Sequence, residues 1–177
     1  MKNPFQLVAE SGIPVLLVGG QALHVYRYTR QTLDFDFMIT EARYPAMQQY
    51  LESQGLHEQG RMGRFGRFRP GPDQEPVLDI GMVDEGTFEK LWAAAEEHAW
   101  GEVRIRVPAF MHLIALKLHA AKNLHREDRD IVDVIELLRL NPGRYSHQDL
   151  EATCQRFGRE GVYDRLKNVR PYEHPQS

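Results

Sequence analysis

The chain has 177 residues, 42% hydrophobic and 27% charged, which is enough for one sizeable core and typical of a soluble globular protein. Its formal net charge of -3 gives no overall attraction to nucleic acid or an anionic membrane, so any such binding falls to a local patch. One cysteine, Cys154, excludes a disulfide framework within the chain, and no apolar run approaches the roughly 20 residues needed to span a bilayer. The opening MKNPFQLVAESG is too polar for a signal peptide, so we expect a soluble, cytoplasmic protein with no membrane partner.

In chain order, Asn3 and Pro4 predict a short helix running to about Glu10 and ended by Ser11 and Gly12. PVLLVGG (14–20) reads as a buried strand closed by a glycine turn, and QALHVYRY (21–28) as a helix. LDFDFMIT (33–40) is the next strand, and RYPAMQQYLESQG (43–55) a helix stopped by Gly55. Residues 57–75 are polar, basic and rich in glycine, giving a loop or an irregular hairpin. PVLDIGMVD (76–84) returns to strand, Thr87 to Trp100 reads as helix, and EVRIRVP (102–108) alternates as a strand with one wet face. Helices then cover 109–123, about 126–140, 147–158 and a final turn near 161–168, before a loose tail from Arg170. The expected fold class is α/β (α+β): a small mixed sheet flanked by helices over 1–108, with a helical C-terminal part, 109–170, packed on it.

RQTLDFDFMIT (30–40) sets two aspartates inside an apolar run. Alternation along a strand points Asp34 and Asp36 to one side, roughly 6.5 to 7 Å apart at Cα, with Leu33, Phe35 and Phe37 turned to the core. An isolated pair of this kind is most often a solvated edge. Three neighbours raise the alternative. Gly19 and Gly20 form a turn into a helix, where backbone N–H groups can approach phosphate oxygens. Arg30 and Thr32 lie just before the pair. Asp79 sits in a second apolar run, and on a neighbouring strand it would join Asp34 and Asp36 in an oxygen-rich site suited to Mg²⁺ or Mn²⁺.

Gly19-Gly20 followed by Arg30-x-Thr32-x-Asp34-x-Asp36-Phe37 resembles the signature of the DNA polymerase β-type nucleotidyltransferases. It is most similar to the abortive-infection toxin-like (AbiEii) branch. LIALKLHAAKNLHREDRDIVDVIELL (113–138) is similar to that branch's second motif, a lysine in an apolar helix and an acidic opening to the next. The resemblance implies Asp34, Asp36 and Asp79 as catalytic metal ligands, and Gly19, Gly20, Arg30, Thr32 and Lys117 as contacts to a nucleoside triphosphate (NTP). It implies transfer of a nucleoside monophosphate to an acceptor hydroxyl with release of pyrophosphate. Many members have Gly-Ser where this chain has Gly19-Gly20. Relatives modify tRNA ends, proteins or small molecules. A non-catalytic or partner-dependent antitoxin-type module is the rival class.

Lys117 lies in a helix that is apolar nearly all round, so it needs a partner. Either a triphosphate or the carboxylates of Asp130 and Asp133 would serve. The loop GRMGRFGRFRPG carries Arg61, Arg64, Arg67 and Arg69 with Phe65 and Phe68 between them, a composition that can bind RNA. The same arginines could instead pair with the protein's own acids. The eight histidines show no zinc-type spacing.

Overall fold

The structure is a computed structural model and describes residues 2–123 and 125–172; residues 173–177 of the expected loose tail lie outside them. The chain divides into two compact units, Met1–Ala22 with Arg30–Pro108, and Leu23–Thr29 with Ala109–Ser177.

The first unit begins with α1 (Pro4–Glu10), whose cap forms as expected, the Asn3 side chain accepting from Phe5 N–H at 2.9 Å. Among the described residues, seven strands make one mixed sheet. They are β1 (Leu16–Leu17), β2 (Asp34–Thr40), β3 (His57–Met62), β4 (Phe65–Arg69), β5 (Val77–Val83), β6 (Glu96–Trp100) and β7 (Val103–Val107), in spatial order β3-β4-β5-β2-β1-β7-β6. β2 and β5 are parallel, as are β1 and β7, and the other neighbours are antiparallel. The helices of this unit are α2 (Gly19–Ala22), α3 (Tyr44–Ser53) and α4 (Glu85–Ala93). Just beyond α3, Gly55 takes φ +83°, the left-handed conformation that ends it.

The second unit holds a 3₁₀ turn, Leu23–Tyr26, and four helices among the described residues: α5 (Phe110–Ala120), α6 (Glu127–Leu140), α7 (His147–Phe157) and α8 (Val162–Leu166). Phe110, Leu113, Ile114, Ala115 and Leu118 of α5 are buried, as its near-continuous apolar surface requires. Asn141 Nδ2 donates to Tyr26 O at 2.7 Å and to Leu137 O at 2.9 Å, fastening the early segment to α6. The Tyr26 ring meets Phe110 edge-on at 5.3 Å. Among the described residues, no helix is long and apolar enough to cross a membrane.

Two local expectations are corrected. The helix expected to run from Thr87 to Trp100 ends at Ala93, and Glu96–Trp100 is a strand paired with β7. Trp100 faces Val103 across a tight turn in which Gly101 takes φ +61°, the conformation a short hairpin needs. The helix expected over 21–28 is one α turn from Gly19 and one 3₁₀ turn, broken where Arg27 adopts φ +64°. Of the two forms expected for the basic segment 57–75, the irregular hairpin is present, with a bulge between Glu58 and Gly60.

Candidate active site

The carboxylates are placed by strand register. β2 pairs Asp36 with Asp79 of β5, and β5 pairs Asp79 with Arg67 of β4. Residues directly opposite on adjacent strands share a face, and so do residues i and i+2 within one. Asp34, Asp36, Asp79 and Arg67 therefore stand together on one face across three neighbouring strands. On the other face, Phe35 and Phe37 close against the Phe5 ring at 5.4 and 6.3 Å, with Trp100 at 5.2 Å from Phe5. Leu33, expected in that core, precedes the strand and is 59% exposed.

Asp36 is flanked on its other side by the glycine turn. Val18 N–H donates to Asp36 O at 2.9 Å, and the chain then turns at Gly19 with φ +65°. A Cβ on Gly19 would lie 1.9 Å from Asp36 Oδ2, so only glycine leaves that carboxylate its place. A Cβ on Gly20 would press on the Thr32 side chain at 3.0 Å. Gly19, Gly20, Thr32, Asp34 and Asp36 thus form one continuous patch. Arg30 lies just upstream, half-buried, its Nη1 at 3.4 Å from Gln31 O.

Arg67 holds the far flank. Its Nε and Nη2 donate to Asp79 Oδ1 and Oδ2 at 2.8 and 2.6 Å, a bidentate fork, and Nη2 lies 3.6 Å from Asp34 Oδ2. The bond to Asp79 holds the guanidinium pKa above the usual arginine value, against the opposing effect of burial. Three carboxylates on one face offer hard oxygen donors suited to Mg²⁺ or Mn²⁺. As the side chains stand, no three acidic, histidine or cysteine groups among the described residues converge as ligands, and both Asp79 oxygens are committed to Arg67. The donor set suits a divalent ion in chemistry and charge, on condition that Arg67 withdraws.

Lys117 belongs to the second unit, where its Nζ donates to Asp130 Oδ1 at 2.9 Å and Asp133 Oδ2 at 2.6 Å. Lys117 is 4% exposed, Asp130 0% and Asp133 1%. Arg126 Nε adds a contact to Asp130 Oδ2 at 3.2 Å. Of the two partners open to Lys117 from sequence, the acidic one is present. In the hairpin, Arg61 lies over the Tyr44 ring at 4.6 Å and Arg64 Nε is 3.4 Å from Glu41. Arg69 is half-buried in β4, its Nε without a partner among the described residues. Met62 and Phe65 are exposed at the hairpin tip.

Comparison with solved structures places this architecture. The chain is similar to the antibiotic-resistance factor ANT(2'')-Ia in its solution structure, with TM-score 0.61 and 17% identity over 92% of this chain and 90% of that one. It is similar to the crystal structure of ANT(2'')-Ia in complex with adenylyl-2''-tobramycin, with TM-score 0.61 and 19% identity over 86% and 91%. The chain has a nucleotidyltransferase fold. A third similar structure is an antigenic nucleotidyltransferase-like protein from Paracoccidioides brasiliensis, with TM-score 0.53 and 15% identity over 94% and 90%. No protein-family model matches the chain, and no curated protein matches it significantly.

Within this nucleotidyltransferase fold, sequence reasoning found the acidic row and left Arg67 open between RNA and the protein's own acids; the acids are its partners here, without a specific one having been named. Its signal was present: in FGRFR, Phe68 is fully buried, so Arg67 must face the opposite side, the one Asp79 takes. The register between β4 and β5 was what sequence could not supply.

Proposed function

We propose that the protein is a metal-dependent nucleotidyltransferase that moves a nucleoside monophosphate from an NTP to an acceptor hydroxyl, releasing pyrophosphate. One observation carries this reading: Asp34, Asp36 and Asp79 share a face of adjacent strands in a nucleotidyltransferase fold, against a glycine turn with no room for a side chain. Asp34, Asp36 and Asp79 would hold Mg²⁺ or Mn²⁺, which when bound supplies the charge neutralisation that in-line displacement at phosphorus needs. Gly19 keeps Asp36 in position and leaves that edge open to a polyphosphate. Phe35 and Phe37 anchor β2, so the carboxylates keep their spacing. Lys117 and its carboxylates serve as a buried brace within the helical unit.

For the acceptor, similarity to ANT(2'')-Ia favours a small hydroxylated molecule of the aminoglycoside type. An RNA acceptor has its own support in the hairpin tip, where Phe65 and Met62 stand exposed beside Arg61 and Arg64. The test is transfer of label from each α-labelled NTP, with Mg²⁺ or Mn²⁺, to an aminoglycoside panel, to total RNA and to a cell lysate, with Asp36→Ala as control. Label in the small molecule, absent with the variant, supports the first acceptor; label in RNA or a polypeptide keeps the chemistry and changes the acceptor. No transfer by a folded protein that also fails to bind NTP would leave the non-catalytic, partner-dependent module.

A further inference from the structure

We infer that Arg67 is a built-in counter-ion for the acidic row, a positioning residue that holds Asp79 and Asp34 in the metal-free protein and gives way when a divalent ion enters. The inference rests on the function proposed above. Its basis is geometric. The guanidinium takes both oxygens of Asp79 and reaches to 3.6 Å of Asp34, so one cation spans two carboxylates that stand on different strands. A metal drawing on Asp79 must compete for the same oxygen lone pairs.

The strength of the contact suits exchange. A bidentate, charge-assisted fork is firmer than an ordinary surface ion pair and fixes the direction of both carboxylate oxygens. Yet the Arg67 side chain is 45% exposed, so a released guanidinium regains water without disturbing the core. Asp79, at 16%, is the more enclosed partner and keeps its place on the strand. Exchange then trades a single positive charge for a double one beside three carboxylates. Without either cation the like charges of Asp34, Asp36 and Asp79 repel across the paired strands. A metal ion therefore has to displace Arg67 in the wild type, whereas once Arg67 is removed it meets no competing cation and its binding relieves that repulsion.

Free Mn²⁺ followed by electron paramagnetic resonance during titration of the full chain tests this directly. Arg67→Ala is expected to bind Mn²⁺ about tenfold more tightly than wild type, Arg67→Lys to fall between them, and Asp36→Ala to lose binding. A melting experiment gives a second readout: without metal, Arg67→Ala melts below wild type, and saturating Mn²⁺ closes the gap. Equal or weaker Mn²⁺ affinity in Arg67→Ala, with binding still abolished in Asp36→Ala, overturns the role of Arg67 and leaves the proposed function standing. Absence of saturable Mn²⁺ binding in every variant, with or without a non-hydrolysable NTP analogue, overturns the proposed function and this inference together.

Discussion

Replacing Lys117 with methionine keeps most of the side chain's length and apolar stem and removes its charge. At an effective dielectric of about 20, the ammonium gains about 6 kcal/mol of gross attraction from each carboxylate, at 2.9 and 2.6 Å. Most of that is offset by stripping water from groups that are 4%, 0% and 1% exposed. The net effect of deleting one partner is set by what the survivors lose. Asp130 and Asp133 lose the cation they share, while Arg126 still reaches Asp130 from a half-exposed position. We therefore expect a loss of about 3 to 4 kcal/mol, the lower part of the range for breaking a buried pair because Arg126 remains, and a fall in melting temperature of about 10 °C. Urea denaturation followed by far-ultraviolet circular dichroism measures it. Adding Asp133→Asn to Lys117→Met should cost less than the two single losses summed, because the groups act as a unit. A loss below about 1 kcal/mol in Lys117→Met would refute the brace, because an uncompensated buried carboxylate cannot be that cheap.

Gly19→Ala should abolish nucleotidyl transfer and weaken Mn²⁺ binding, because its Cβ would displace the Asp36 carboxylate; Gly12→Ala, at a similar φ of +67° with open space around it, separates backbone strain from the clash. Burial pushes the Cys154 thiol up to about 11 from 9.0, so wild type binds more protons folded than unfolded and loses stability as pH rises between those values. The stability of wild type relative to Cys154→Ala should fall by about 1.4 kcal/mol from pH 8 to pH 10, read from urea midpoints; a constant difference would refute the shift. Asn141→Ala strips the donor from the carbonyls of Tyr26 and Leu137 and should destabilise by about 2 kcal/mol in the same assay. Ser146→Ala removes half of the capping box that opens α7 and should lower stability by about 1 kcal/mol.

What sequence made legible was local or periodic. The shared face of Asp34 and Asp36 followed from strand alternation alone, the start of α1 from Asn3 and Pro4, and the end of α3 from Gly55. The apolar surface of α5 announced that Lys117 would need a buried partner, and Asp130 and Asp133 were the acids within reach. What stayed illegible was non-local. Glu96–Trp100 continues the Ala- and Glu-rich composition of α4, so only its pairing with β7 makes it a strand. The meeting of Arg67 with Asp79 depends on a register set across the segment between β4 and β5, which carries no periodic signal. The membership of Leu23–Thr29 in the helical unit follows from contacts to residues more than a hundred positions away.

That early segment bears on how the protein is made. Tyr26 leaves the ribosome 115 residues ahead of Asn141, an interval of about 6 to 23 s at ordinary rates of synthesis. The helical unit otherwise consists of neighbours in sequence, the arrangement that folds fastest. Its assembly nevertheless waits on a strip of chain delivered long before, kept between two segments of the sheet unit. A fragment started at Ala109 would lack one of its own structural parts, so cutting the chain at Pro108 severs more than a connection.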